Sequence, residues 1–163
     1  MDDTALHIRP ARHADIGQLT DVWLQLMDMH QAQDMAFTLA DDGLVQWQQM
    51  AYDMLDREDT FVFVAQSGSE LVGFCLGWIA RNPPIYAVSD VGFISEIAVA
   101  KTHQGRGMGK ALVAAARRWF SRRHLLEFQL STAVWNQNAQ EFWQSVGGAP
   151  LLVRYRFDVH PEL

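Results

Sequence analysis

The chain has a single cysteine, Cys75, among its 163 residues, so no disulfide can form within it and its stability comes from packing alone. No run of about 18 apolar residues occurs, which excludes a membrane-spanning helix. There is no basic surplus: 13 Lys and Arg stand against 19 Asp and Glu, a formal net charge of −6. A nucleic-acid-binding domain shows the opposite balance, so nucleic acid is not an expected partner, and an acidic surface favours a cationic amine through steering. The six histidines, His7, His13, His30, His103, His124 and His160, lack metal-ligand spacing, and no metal site is expected. Repeats, low-complexity stretches and linkers are absent as well. Met1-Asp2-Asp3-Thr4 is acidic and carries no apolar signal core, which together with the lone cysteine leads to a cytoplasmic expectation. What is abundant is apolar surface, 49% of residues, enough for one compact domain over residues 1–163.

The periodicity orders that surface. Leu6 to Arg9 alternates as a strand ended by Pro10. Asp15 is placed to cap a helix reaching about Gln31, with Ile16, Leu19, Val22, Trp23, Leu26 and Met27 on one face. After a loop over Ala32–Ala40, Asp41 or Asp42 caps a second helix to about Leu55, burying Leu44, Trp47, Ala51 and Met54. Thr60–Ala65 and Leu71–Ala80 form a hairpin around Gln66–Ser69, with Cys75 buried in the second strand. Pro83-Pro84 breaks the pattern over Arg81–Ser89. A strand over Val91–Val99, a helix over Met108–Phe120 and a strand over Leu125–Thr132 follow. Arg117, Arg118, Arg122, Arg123 and His124 cluster in and just past the last turn of that helix, where they complement its dipole. Asn136 or Asn138 caps a last helix to about Val146, Gly147-Gly148 stops it, and Leu151–Phe157 reads as a final strand. The predicted order is β-α-α-β-β-β-α-β-α-β, an α/β (α+β) fold with helices flanking one sheet.

One segment carries chemistry. The strand residues Glu96-Ile97-Ala98-Val99 lead into Gln104-Gly105-Arg106-Gly107-Met108-Gly109-Lys110, and this glycine loop opens a helix. Such a junction aims backbone N–H groups and the positive end of a helix dipole at one spot, which suits a phosphate. A Walker loop needs Lys-Ser or Lys-Thr, but Lys110 is followed by Ala111. A dinucleotide fingerprint needs a glycine where Lys110 stands. The match is instead to Gln/Arg-x-x-Gly-x-Gly/Ala, met by Gln104, Gly107 and Gly109, after an Ile-Ala-Val strand. This resembles the acyl-CoA loop of the GNAT superfamily of N-acetyltransferases. Asn136-Gln137-Asn138-Ala139-Gln140-Glu141-Phe142-Trp143-Gln144-Ser145-Val146-Gly147-Gly148 is similar to a second family pattern, Asn-x-x-Ala-x-x-Phe-Tyr-x-x-x-Gly-Phe. Trp143 departs from its tyrosine and Gly148 from its phenylalanine.

The resemblance implies a mixed, splayed sheet in which acetyl-CoA lies with its pantetheine arm along Ile97, Ala98 and Val99. Its pyrophosphate would sit on the loop from Gln104 through Gly105, Arg106, Gly107, Met108 and Gly109 to Lys110, with Asn136, Ala139, Phe142 and Trp143 walling the cofactor. Asn136 also reads as a plain helix cap, and Gln104 as a loop-orienting residue. The implied reaction is direct transfer of acetyl from acetyl-CoA to a primary amine of a small molecule, amino acid or peptide. Glu96 is the candidate base or amine anchor. With Trp143 in the tyrosine position, either no general acid is used or Tyr155 or Tyr86 serves. His30, Trp47 and Tyr86 are candidates for the acceptor pocket. A catalytically silent acyl-CoA sensor or interaction module is the alternative, and a homodimer is left open.

Overall fold

The computed structural model describes residues 6–160. They fall into two compact units, one ending at Ser131 and one beginning at Thr132. The first is built on a five-stranded sheet in the order β1-β2-β3-β4-β5, with β1 Leu6–Pro10, β2 Thr60–Ser67, β3 Glu70–Arg81, β4 Asp90–Val99 and β5 Phe128–Gln129. The first four strands are antiparallel, and β5 joins β4 in parallel. Helices α1 (Thr20–Gln33), α2 (Gly43–Met54) and α3 (Met108–Ser121) complete the unit. Among the described residues no helix is long and apolar enough to cross a membrane.

Two sets of ring contacts mark the faces of the sheet. Trp47 of α2 packs on Phe74 of β3, 5.6 Å between ring centres, so Phe74, Leu76 and Trp78 face α1 and α2. Phe61, paired with Gly77 across β2 and β3, packs on Phe120 of α3 at 5.4 Å, so Gly77 and its neighbours in register face α3. Helix α3 buries Met108, Leu112, Val113, Ala115, Ala116 and Phe120, an amphipathic stripe in which each large side chain contributes about 1.5–3 kcal/mol. The absence of a side chain at Gly92 is a packing requirement. A Cβ there would stand 2.6 Å from the Phe120 ring and 2.7 Å from Phe128 Cβ, so only glycine lets α3 and β5 close over β4.

Asp15 behaves differently from the expected cap. Residues His13–Leu19 form a 3-10 turn ahead of α1, and Asp15 is its third residue. Its carboxylate accepts the Arg12 N–H at 2.7 Å and N–H groups from the two terminal guanidinium nitrogens of Arg9, at 2.6 and 3.0 Å. Arg9 reaches over from β1, so this buried ion pair ties the first strand to the entry of α1. The Arg9 hydrogen bonds, ahead of the desolvation that opposes them, hold the Asp15 carboxyl below the usual carboxylate range.

The second unit contains α4, Gln137–Ser145, whose N-cap Asn136 accepts the Ala139 N–H at 3.1 Å. Gly147, with φ +95°, reverses the chain, and the Gly148 N–H returns to the Trp143 carbonyl at 2.8 Å. Two expected strands fall short. Leu125–Thr132 is reduced to Phe128–Gln129, because β5 meets β4 only at Gly92 and Phe93 before the two diverge. Leu151–Phe157 forms no strand. Its alternating apolar side chains, Tyr155 at 76% exposure among them, meet no ladder partner within their own unit.

Replacing Asp15 by Asn should destabilise the protein by about 3 kcal/mol, since it leaves the Arg9 charge uncompensated in a largely buried site. Because the folded pKa of Asp15 is depressed, the parent has this stabilisation above the unfolded pKa and loses it as pH falls through the folded one. Urea unfolding at pH 7 and pH 3 checks both statements: the gap between parent and variant should shrink at the lower pH.

Candidate active site

Strand β4 ends in a turn that leads into α3. The Ala100 N–H donates to the Val72 carbonyl at 2.8 Å, closing the ladder with β3. A 3-10 turn over Lys101–His103 follows, held by the Gln25 side chain, which accepts the Lys101 N–H at 3.0 Å. Gln104 then folds back and donates from Nε2 to the Val99 carbonyl at 3.0 Å, tying the loop to the end of the strand. Gly105 and Gly107 take φ +76° and +82°, left-handed conformations that glycine adopts without strain. No atom lies within 4 Å of the place where a Cβ would stand on either one.

Gly107 is the N-cap of α3, and no side chain caps it. The first bond of the helix is Ala111 N–H to Gly107 carbonyl at 3.0 Å. The N–H groups of Met108, Gly109 and Lys110 therefore have no intrahelical partner and stand at the positive end of the helix dipole. Met108 is buried and anchors this turn, while Lys101, Arg106 and Lys110 lie exposed around it. The result is a bare turn lined by unpaired amides and flanked by cationic side chains, on a chain of net negative charge.

Upstream of the turn, β4 is half uncovered. It pairs with β3 along its whole length, but with β5 only at Gly92–Phe128 and Phe93–Gln129. The Gly73–Val99 pair lies one residue inside the Ala100-to-Val72 bond. By antiparallel alternation Val99, and Ile97 two residues back, turn their N–H and C=O groups away from β3. The Gln104 bond to the Val99 carbonyl uses one of these outward groups.

A bulge controls what the strand presents. Leu76 pairs with Glu96 and Gly77 with Ile94, which leaves Ser95 as an extra residue on β4. Without it, Glu96 would follow Ile94 onto the α3 face. With it, Glu96 is turned to the α1/α2 face. There its Oε2 accepts the indole N–H of Trp47 at 2.9 Å. Trp47 is stacked on Trp23 of α1, ring centres 4.9 Å apart and planes 22° from parallel. Burial pushes the Glu96 carboxyl above its ordinary range, and the two indoles pull it part of the way back.

Comparison with known proteins shows the family. The sequence pattern of the Acetyltransferase (GNAT) family fits residues 23–148. The chain belongs to that family. It is thus, by family, an acetyl-CoA-dependent acetyltransferase. No curated protein matches the sequence. Several solved GNAT-like structures share the fold at low identity. The aminoglycoside acetyltransferase AAC(6')-Iy, in complex with the bisubstrate analogue CoA-S-monomethyl-acetylneamine, superposes with a TM-score of 0.74 at 22% identity, covering 94% of this chain and 99% of that one. A 6'-N-acetyltransferase from Acinetobacter haemolyticus gives 0.74 at 19%, covering 93% and 97%. The BH1408 protein from Bacillus halodurans, as a tetramutant, gives 0.80 at 16%, covering 94% and 99%.

The other residues singled out in this GNAT sequence are placed as follows. Ile97, Ala98 and Val99 are half-buried on the uncovered stretch of β4. Trp47 is 5% exposed, so it reaches the site through its bond to Glu96 rather than as open pocket wall. His30 lies near the end of α1 with Nδ1 against the Leu26 carbonyl at 2.8 Å and its ring edge on Phe37. Tyr86 is exposed in the segment between β3 and β4. Asn136, Ala139, Phe142, Trp143 and Tyr155 belong to the second unit, where Phe142 and Trp143 pack edge to face at 5.1 Å. Asn136 spends its side-chain oxygen on the helix cap. Among the described residues no cluster of His, Cys, Asp and Glu is arranged to hold a metal ion. Trp23, read from sequence only as core, is a member of the site. Its i, i+3, i+4 spacing identified a buried face, but nothing in that spacing shows which strand the face meets.

Glu96→Gln tests the electrostatics of the site without any substrate. A carboxyl whose folded pKa is raised favours folding in its neutral form, and that advantage is lost as pH rises through the folded pKa. The variant, which keeps an acceptor for Trp47 but never ionises, should match the parent in Tm near pH 4. It should exceed the parent increasingly toward pH 8.

Proposed function

We propose that this GNAT protein is an N-acetyltransferase that moves an acetyl group from acetyl-CoA directly to the primary amine of a small molecule, amino acid or peptide. The observation that carries the reading is Glu96, a half-buried carboxylate on the uncovered stretch of the strand that runs into the diphosphate cradle.

Acetyl-CoA supplies an acyl carbon already activated as a thioester. The chain's own part is to hold it and to handle one proton. The amides of Gly107 to Lys110 take the diphosphate. The outward-facing N–H and C=O groups of Ile97 take the amide-rich arm by strand addition. An alkylamine with a pKa of about 10.4 arrives protonated near neutrality. Glu96 takes one N–H proton, the freed electron pair stays on nitrogen, and nitrogen attacks the acyl carbon. The Val99 N–H is the assigned donor to the oxygen that gains charge. A C–N bond forms, the C–S bond breaks, and sulfur leaves as a thiolate that takes up the second proton nitrogen loses, so the products are the neutral amide and the free thiol. A thiol pKa of about 8.5 makes that departure easy without a protein acid, so Trp143 in the family's tyrosine position does not block the reaction. A carboxyl pKa raised toward neutrality makes Glu96 a stronger base than an exposed glutamate.

The net charge of −6 supports a cationic acceptor, and the aminoglycoside acetyltransferases among the similar structures support a small polyamine-like molecule. The family pattern runs from the first unit into the second, which supports treating the two as one acyltransferase domain. Trp143 favours one competing reading, an acyl-CoA sensor that binds and does not turn over.

CoA at 100-fold over its Kd should stabilise the parent by about 2.7 kcal/mol, read as a rise in Tm. Gly107→Glu should abolish that rise, because it places a carboxylate against the diphosphate and strains a left-handed position. An unchanged rise would remove the loop from cofactor binding. Thiol release from acetyl-CoA across a panel of aminoglycosides, polyamines, amino acids and peptides identifies the acceptor. A full CoA response with no turnover on any amine would establish the sensor. With an active amine, Glu96→Gln should lower kcat by about 100-fold or more while keeping the CoA response. In the parent, kcat/KM should climb with pH through a midpoint above the ordinary glutamate range, since the base must be deprotonated to act.

A further inference from the structure

We propose that Trp47 and Trp23 form a two-indole socket that positions Glu96, Trp47 as its standing donor and Trp23 as a donor held in reserve for the ionised carboxylate. The proposal rests on the reading of Glu96 as the base.

Three observations carry it. First, the Trp47 N–H spends its only hydrogen bond on Glu96 Oε2, at 2.9 Å, although Trp47 lies on α2, 49 residues away in sequence. Second, Trp23 is 3% exposed, and its Nε1 is the buried side-chain nitrogen or oxygen that lacks a bonded partner among the described residues. An indole N–H can only donate, and leaving one buried and unused is costly. Third, the two rings are stacked nearly parallel at 4.9 Å, on the same face as Glu96. Trp23 is among the groups that favour the charged form of Glu96, yet its N–H makes no hydrogen bond in this structure.

The chemistry of the pair follows from donor count. In a neutral glutamic acid one oxygen carries a proton and donates, so its acceptor demand is small and the single Trp47 indole on Oε2 meets it. A carboxylate accepts from several donors at once, and a second N–H then has a use. Trp23 is that second donor. With Oε2 held by Trp47, Oε1 has no hydrogen bond among the described residues and is available for the amine proton. The stack on Trp23 and the contact with Phe74 hold the Trp47 donor in place against Oε2. Burial and these two indoles are what act on the titration of Glu96. On its own sheet it is paired with apolar Leu76, and no charged side chain of the described residues contributes.

The test is an indole proton–nitrogen correlation spectrum of the nitrogen-labelled full chain, followed from pH 4 to pH 9 without ligand. The chain has six tryptophans, and Trp47→Phe and Trp23→Phe assign two of the signals. The expected result is that both the Trp47 and the Trp23 signals move with one shared midpoint, above the ordinary glutamate value of about 4.3. Trp23 should shift toward a stronger hydrogen bond on the alkaline side. Glu96→Gln should abolish both movements while the other indole signals stay in place. Movement of Trp47 alone overturns the reserve-donor role of Trp23, and movement of neither overturns the socket. Should Trp47→Phe fail to fold, the Glu96→Gln comparison still decides.

With an active amine, Trp47→Phe should move the acid limb of the kcat/KM profile upward by about one pH unit, through loss of a donor to the charged form, and leave CoA affinity unchanged. It should add nothing further in a Glu96→Gln background. A uniform loss of rate at every pH, or the same loss in both backgrounds, means that Trp47 acts only through packing and overturns the positioning role. If instead Glu96→Gln turns over like the parent while both indole signals still titrate, the socket stands and the assignment of Glu96 as base falls.

Discussion

Strand β4 is held along one edge and released along the other, and the site depends on that asymmetry. Its ladder with β3 runs from Asp90 to Val99, interrupted only by the bulge at Ser95, while its contact with β5 stops after Gly92 and Phe93. An unpaired strand edge is normally a hazard, since it offers N–H and C=O groups to any passing chain. Here the offered groups belong to Ile97 and Val99, immediately before the turn that opens α3. The same strand thus presents a ladder edge and, at its end, the unpaired amides of a helix N-terminus. Both are suited to a partner rich in acceptors and amides, and in the proposed function they take the arm and the diphosphate of the family's cofactor.

The single extra residue Ser95 gives this strand a second task. A sheet has a strict period of two, so one inserted residue exchanges the faces of everything beyond it. Up to the bulge, Gly92 and Ile94 are the residues that face α3, and the even-numbered side of the strand belongs to that helix. Beyond the bulge, Glu96 is delivered to the side of α1 and α2, onto the Trp47 indole. The cost of desolvating that carboxylate is what raises its proton affinity, and the tryptophan pair keeps the cost within bounds. Stability and function pull in opposite directions at this residue, and the Asp15–Arg9 pair nearer the start of the chain belongs to the side of stability.

The elements with strong local signals were legible in the chain. The apolar stripe of α3 ended within a residue of its expected boundary, and the hairpin of β2 and β3 followed its alternation closely. Asn136 acts as the cap that its position suggested. The misreadings came where a long-range partner outweighed local preference. Asp15 looked like a cap, but Arg9 and the Arg12 N–H claim its carboxylate, and the chain makes a 3-10 turn before α1 begins. Leu125–Thr132 and Leu151–Phe157 both alternate like strands. Alternation specifies a face and cannot supply a neighbouring edge, and the ladder exists only at Phe128 and Gln129.

The sequence by itself determined the family, the glycine turn and the order of most elements. Those are set by residue type at close spacing: glycine where φ is positive, apolar groups at helical or strand period, asparagine at a helix start. The tertiary structure alone decided that β4 is uncovered beyond Phe93, that a bulge at Ser95 turns Glu96 to the α1/α2 face, and that Trp23 and Trp47 meet there. Each of these is a matter of register between segments far apart in the chain. Register is set by which backbones pair and which side chains fill the space between layers, and no local pattern of residues encodes it.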